Sequence, residues 1–474
     1  MEISIYNFKA IKEVTDFSVK SLNIISGVNS SGKSSFIQFL LLLKQTLESK
    51  ASNRPLILDS ESTKLGEYSE VVYQKKNENP ISTSISFKKE EFHLPELDFL
   101  DIQRIDISVV FNSREGQNYV QSIKLNYYTP EFNKTDQWLS FTKKKNQYLV
   151  ETNAAGVFSA DLHQLATLDS QLGDLSFIAF FPQTFTLEVP NPNYPEFDKT
   201  ETTKKSIQFN IKGIENLLTK TFSQISYIGP LREAPVDIYT PNKANKNIGS
   251  KGEFAAFFLE KEAGDIISFH KMTMDQEGRV TFNQQEDTLA AVVKYWICDI
   301  FGLAKNIKAE KYKENYVIKV TNHFDIETTI KHVGFGVSQI LPIVVEGLRM
   351  PNNGILILEQ PEIHLHPKIQ SLLFDFLHSL SLSGKRFIVE THSDHLITRM
   401  RRRIAEDLEN ILEEKVNLVF VEEFEKEHIF RKLDLTELGS LSYFPKDFVE
   451  QTDSDYRAIV KAQAVKRSNK NKKE

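Results

Sequence analysis

The segment Gly27 to Ser35, GVNSSGKSS, places two glycines, a lysine and four serines in nine positions. Glycines let the main chain wrap closely around a phosphate group, and a helix starting just behind them aims free N–H groups at its oxygens. In that setting the ammonium of Lys33 serves the β- and γ-phosphates of a nucleoside triphosphate, and the hydroxyl of Ser34 ligates Mg²⁺. Asn29, Ser30, Ser31 and Ser35 complete the loop with short polar side chains. Strand-like SLNIIS precedes it and apolar SSFIQFLLLLKQTLES follows, so the string fits the P-loop pattern and predicts binding of ATP with Mg²⁺.

Two distant segments add an acid and an imidazole. GILIL, from Gly354 to Leu358, has the apolar run of a strand covered on both faces. Glu359 follows at its carboxyl end, where open α/β sheets collect their ligands. It is expected to hold the Mg²⁺, directly or through water, opposite Ser34. RFIVETHSDHL repeats the layout and brings Thr391, His392 and Ser393 to a second strand end. An imidazole there can donate a hydrogen bond to a γ-phosphate.

The elements that must position these groups are visible in the patterning. Residues 1–26 read as two strands, ISIYNF and SLNIIS, separated by a turn-rich segment. From about residue 75 to 215, alternating segments such as ISTSISF, RIDISVVF and QSIKLNYY are broken by Asn, Lys, Pro and Asp, which predicts a β-rich insertion. GEFAAFFLEK and TLAAVVKYWICDIFG read as helices, and YVIKVTNHFDIETTIKHV as a hairpin. The last third alternates helix VSQILPIVVEGLRM, strand GILILEQ, helix IQSLLFDFLHSLSL and strand RFIVETH, the mark of an α/β sheet. The predicted organisation is an N-terminal part of the head at 1–74, the insertion at 75–219, the rest of the head at 220–415 and a C-terminal α/β segment at 416–474.

Bulk properties narrow the classes. With 474 residues, 40% of them hydrophobic, the chain can bury a large core. A formal charge of -6 excludes a surface that coats nucleic acid as a whole. No apolar run approaches the roughly 20 residues that span a bilayer, so no membrane association is expected. The opening MEISIYNFKAIKEV lacks the basic-then-apolar layout of a secretory signal. The lone cysteine, Cys298 in KYWICDIF, predicts a buried thiol and suits a reducing cytoplasm. Solenoid periods and sustained heptads are absent from the sequence.

Taken in order, GVNSSGKSS, YIGPLRE, GFGVSQILP, LEQPEIHLHP and ETHSDHLITRMRRRIAE resemble the ABC-type ATPases related to the OLD and SMC proteins. More narrowly, EQPEIHLHP and SYFPKDFVEQ are similar to a bacterial family of stand-alone predicted ATPases. The resemblance implies an ABC-type ATPase head, a mixed sheet flanked by helices, whose nucleotides are enclosed between paired copies of the chain. GFGVSQ, from Gly334 to Gln339, occupies the place of the signature that contacts the ATP held by the partner's P-loop. Gly334 stands where the family has a serine hydroxyl, so the contact passes to the main-chain N–H of Gly336. LGEYSEVV, from Leu65 to Val72, resembles the nucleotide-sensing region but lacks its glutamine, and Gln38 lies too early to supply it.

Gln360 stands where the family carries the glutamate that polarises the attacking water. An amide cannot take the proton, although it can orient water, and Glu362 is the candidate base. Slow hydrolysis and a long-lived closed dimer are therefore expected. A further resemblance, to ATPase subunits of anti-phage systems such as Septu and PARIS, implies an ATP-driven switch that acts as a dimer or larger ring on an effector protein such as a nuclease. Three other readings compete with it. An SMC-type DNA-repair ATPase needs a coiled coil or basic groove, and a transporter's energy subunit would carry LSGGQ. An OLD-like nuclease needs a complete metal-binding fold. LVFVEEFEKE near Glu422 resembles the opening of a Toprim nuclease, and Asp453 and Asp455 form a DxD, but too few residues follow to finish that fold.

Other clusters read as structural. Glu362, His364 and His366, and the pair His392 and His395, lack the thiols of a structural zinc site and suit turns or interfaces. RMRRR, from Arg399 to Arg403, lacks aromatic interleaving and suggests a solvated face or protein contact before nucleic acid. The basic tail from Lys461 reads as a solvated end.

Overall fold

A computed structural model describes residues 1–443 apart from 50, 51, 53, 61–62, 77–78, 95–100, 131–136, 154–170, 191–201, 210, 241–246 and 277–278. SYFPKDFVEQ from Phe444 on, Asp453, Asp455 and the basic tail lie outside the described residues. The chain begins with β1 (Glu2–Phe8), β2 (Ile11–Ser18), β3 (Leu22–Gly27) and α1 (Lys33–Ser49). A run of strands follows: β4 (Ile81–Lys88), β5 (Arg104–Arg114), β6 (Gln117–Tyr128), β7 (Gln137–Lys144), β8 (Gln147–Thr152), β9 (Gln171–Ile178), β10 (Phe181–Pro190) and β11 (Thr202–Gln208). Then come α2 (Lys212–Ser223), β12 (Ile225–Ile228), α3 (Ala255–Lys261), β13 (Ile266–Met274), β14 (Val280–Thr288) and α4 (Leu289–Lys294). The remainder holds β15 (Asn306–Tyr312), β16 (Asn315–Thr321), β17 (Glu327–Thr329), α5 (Phe335–Arg349), β18 (Ile355–Glu359), α6 (Pro367–Ser381), β19 (Arg386–Glu390), α7 (Asp394–Glu406), β20 (Val416–Phe424) and β21 (Glu427–Leu433).

These elements form two compact units. The first, residues 1–19, 34–225 and 424–429, is built on a ten-stranded sheet in the order β11-β10-β9-β8-β7-β6-β5-β4-β1-β2. Its pairs are antiparallel, and β5 shows the clean inward–outward alternation of such sheets. The segment expected to be turn-rich is instead strand β2, which buries Ile11, Val14 and Phe17 against β1. A register shift between Ile3 and Ile5 falls between their partners Phe17 and Val14 and spaces those two by three, so a strict period of two misses the strand. β1 also pairs with β4, so the N-terminal hairpin continues the sheet of the β-rich segment. α1 is apolar nearly all round and correspondingly buried, with Phe36 on Phe17 and Phe39 on Phe8 at centroid distances of 4.5 and 5.1 Å.

The second unit, residues 20–33, 226–423 and from Phe430 on, holds a six-stranded sheet, β12-β18-β19-β3-β20-β21. β18, β19, β3 and β20 are mutually parallel. Every residue of β3 and β18 is buried, as strands covered on both faces require. Asn23, wholly buried, anchors β3 by donating to the carbonyls of Lys20 and Phe387. The α/β class is thus borne out, with helices α5 and α6 where the periodicity placed them. α4 runs into a π-helical turn, Tyr295–Ile300, in which Cys298 is buried and its thiol pushed up to about 11 by that burial. Among the described residues no helix is long and apolar enough to cross a membrane.

The arginine run on α7 differs from expectation. Arg403 and Arg399 turn inward onto Asp375 of α6, at 2.7 and 3.1 Å, and Asp375 has no exposed surface. Arg401 donates to the carbonyl of Gly439. The lack of aromatic interleaving suggested a solvated face, but the run pairs with a buried acid on the neighbouring helix.

Candidate nucleotide site

Within the second unit, β3 ends at Gly27, whose φ of 143° belongs to glycine. A Cβ there would sit 2.3 Å from the carbonyl oxygen of Val421 on β20, so the loop leaves the sheet where only glycine fits. Ser30 (φ 63°) and Gly32 (φ 92°) also take positive φ, curving the loop into a concavity of main-chain N–H groups suited to an anion. α1 starts at once with Lys33, whose buried ammonium donates to the carbonyls of Gly27 (3.0 Å) and Val28 (2.6 Å). Burial holds that ammonium below its ordinary range, partly offset by the charge of Glu390. The hydroxyl of Ser31 is buried and meets no partner among the described residues. Ser34 and Ser35 open α1 and are counted with the first unit.

Glu359 and Glu390 close β18 and β19 in register with each other, and Glu390 lies in register with Ile25 of β3. In-register residues of parallel strands face the same side, so two buried carboxyls sit next to each other. Burial, and then the charge of Glu390, raise Glu359 to about 7 against a weaker pull down from the Tyr227 hydroxyl. Tyr227 is in turn pushed up by burial and by Glu359.

The turn beyond β18 is held in an uncommon shape. Gln360 has φ 44°, costing about 1–3 kcal/mol for a non-glycine residue. Its N–H donates to the carbonyl of Glu390 (2.8 Å), and its carbonyl accepts from Arg232 Nη2 (3.1 Å). Arg232 is buried, is lowered to about 10 by that burial, and its Nε and Nη1 meet no acceptor among the described residues. Glu362 Oε1 accepts the N–H of His392 at 2.7 Å, while Oε2 is buried and unpartnered among the described residues. Burial raises the Glu362 carboxyl. The His392 ring is lowered by desolvation and by the charge of Lys33, which favours the neutral imidazole. Thr391 and Ser393 shape the loop: Ser393 Oγ caps α7 and donates to Gln370. His366 caps α6 through Nδ1, and no group of three metal-ligating side chains occurs among the described residues.

Gly334 is the N-cap of α5, without a side-chain cap, and Gly336 is the helix's second residue. A Cβ at Gly334 would meet nothing within 4 Å, and one at Gly336 only Leu303 at 3.6 Å. Neither glycine is demanded by packing within the chain. The Leu65–Val72 segment carries a one-turn helix in which Tyr68 bonds the main chain of Phe111 and Ile81, and Gln38 accepts from Lys9.

The structure thus gathers the loop up to Lys33 with Glu359, Gln360, Glu362 and His392 at one end of one sheet. Three participants were missed from sequence: Glu390, Tyr227 and Arg232. Glu390 directly precedes Thr391 and mirrors Glu359 at its strand end, a signal the sequence carries; nothing in YIGPLRE marks a role for its arginine. The site suits a Mg²⁺-bound triphosphate. Its loop curves through positive-φ residues, its lysine ammonium meets only main-chain carbonyls at hydrogen-bond distance among the described residues while feeling the charge of Glu390, and its two adjacent acids suit a dication.

A parallel sheet with a glycine-curved loop between β3 and a helix, and acids at the neighbouring strand ends, defines the chain as a P-loop ATPase. Residues 1–397 match the family model for the AAA ATPase domain (AAA_15), and the chain belongs to that family. No curated protein matches. Solved structures that resemble it include the SMC head domain from Thermotoga maritima, at 10% identity and a TM-score of 0.36, over 92% of this chain and 98% of that one. An Smc head with an extended coiled coil, bound to the C-terminal domain of ScpA derived from Pyrococcus furiosus, gives 11% and 0.39 over 91% and 96%.

Proposed function

We propose that the chain is an ABC-type ATP switch: two copies, or a larger ring, enclose nucleotide between the P-loop of one and the α5 N-terminus of the next. The juxtaposition of Glu359, Glu390 and Lys33 carries this reading. Bound Mg²⁺ and ATP would supply the divalent charge and the γ-phosphoryl group that water removes. Lys33 and the N–H groups of residues 29–34 would hold the phosphates, and Ser34 and Glu359 would hold the metal, with Glu390 next to Glu359. The neutral His392 donates to the terminal phosphate, and Gln360, clamped by Arg232 and Glu390, orients water. The Glu362 carboxylate, with one oxygen free and its affinity for protons raised, takes the proton. The uncapped helix start at Gly334 and Gly336, where the chain's own packing leaves room for side chains, supports a contact with a phosphate held by a second copy.

The amide of Gln360 makes turnover slow and the closed state long-lived. In this reading the β-rich segment 75–219 and the segment from 416 on present a surface to a cytoplasmic effector, such as a nuclease, in anti-phage defence. Steady-state ATP turnover of wild type and Gln360→Glu tests the switch. The glutamate is expected to accelerate turnover by about tenfold or more; fast turnover in both proteins contradicts it. Co-purification of the native protein identifies the effector.

A further inference from the structure

The first unit contains a cavity of about 520 Å³ at one end of its antiparallel sheet. Two tight two-residue turns frame it, Glu115–Gly116 between β5 and β6 and Lys145–Asn146 between β7 and β8. Such turns fix the strand ends, so the cations they carry converge by construction. Arg114, Lys143 and Lys145 line the cavity together with Tyr119, Tyr148 and Phe177. Its single lining acid, Glu115, lies 3.7 Å from Arg114, and both side chains are largely exposed. Among the described residues no carboxylate pairs with Lys143 or Lys145. Lys143 instead rests 4.0 Å over the Tyr119 ring and 5.7 Å from that of Tyr148. Its ammonium is lowered by burial and then by the like charge of Arg114.

Three cations gathered around a single exposed acid, against aromatic faces, are a poor arrangement for stability and a good one for an anion with a flat apolar part. The volume exceeds what a bare phosphate fills and lies in the range of small-ligand pockets, about 300–1,000 Å³. We propose that this cavity binds a nucleotide unit, its phosphate between Arg114, Lys143 and Lys145 and its base on Tyr119. A phosphate is a stronger partner for Lys143 than a ring quadrupole, and the ring it vacates becomes the stacking face. Tyr148 stays fixed, since its hydroxyl donates to the carbonyl of Val120 at 2.7 Å. The site is independent of the P-loop reading.

The test uses the full chain and a 5′-phosphorylated, 3′-fluorescein tetrathymidylate, followed by fluorescence anisotropy at several salt concentrations. Wild type and Lys33→Ala are expected to bind the probe equally. Lys143→Glu with Lys145→Glu should weaken it at least tenfold, and Tyr119→Ala by about fivefold, roughly one stacked base. The logarithm of affinity should fall with that of salt at a slope of about −0.7, as one neutralised phosphate requires. Displacement by free thymidine monophosphate identifies a mononucleotide site, and failure of that displacement a strand site; each supports the nucleotide unit. An unchanged melting temperature for the double variant shows that folding is intact. Loss of binding in Lys33→Ala, unaltered binding in Lys143→Glu with Lys145→Glu, or no binding by wild type overturns the proposal.

Discussion

The second unit treats two of its buried acidic sites in opposite ways. Asp375, between α6 and α7, is neutralised inside the chain by Arg399 and Arg403. Glu359 and Glu390 lie in register on adjacent strands, where each raises the cost of ionising the other. One site is neutralised by arginines of a neighbouring helix, and the other sets two acids side by side within reach of the Lys33 charge. A buried ion pair holds structure, whereas buried like charges at the ends of parallel strands mark a place prepared for a cation.

That contrast can be broken by substitution. The largest effect is expected at Asp375: Asp375→Asn removes the carboxylate shared by Arg399 and Arg403, leaving Arg403 only Glu406, and should destabilise the chain by about 3–5 kcal/mol, read by denaturant unfolding. A loss below about 1 kcal/mol would remove the distinction between the two sites.

The opposite sign is expected at the prepared one. The folded Glu359 carboxyl, near 7 against an ordinary 4.5, holds a proton that the unfolded chain has already released. Its contribution therefore grows unfavourable as pH rises from about 4.5 to about 7, then levels off at about 3 kcal/mol. Without nucleotide or metal, Glu359→Gln should match wild type near pH 4.5 and exceed it by about 1–3 kcal/mol at pH 8. A variant less stable than wild type at pH 8 contradicts this. Smallest is the effect at Arg232, whose incomplete pairing predicts that Arg232→Met changes stability by less than about 1 kcal/mol. The same variant should slow turnover by releasing the Gln360 turn; unchanged turnover would deny Arg232 its positioning role.

The sequence made the site's catalytic side legible and its support obscure, for physical reasons. Gly27, Lys33, Glu359 and His392 sit at strand ends, and apolar runs such as GILIL announce strand ends strongly. Arg232 and Tyr227 lie on a short strand and the loop after it, and no periodicity says that they turn toward Glu359. Strand β2 was hidden by its register shift, and the Asp375 pairing by the fact that its partners lie on another helix. The pairing of β1 with β4 is non-local, and local pattern cannot show it. The AAA family match covers 1–397, so the resemblance drawn from ordered motifs and the fold agree at the level of a P-loop ATPase.

The most direct test of the central claim is calorimetric titration of ATP into wild type and Glu359→Gln, each with Mg²⁺ and with the metal chelated. Mg²⁺ should tighten binding to wild type about tenfold or more and leave the glutamine variant nearly unchanged. Equal tightening in both proteins would show that the paired acids of β18 and β19 do not hold the metal.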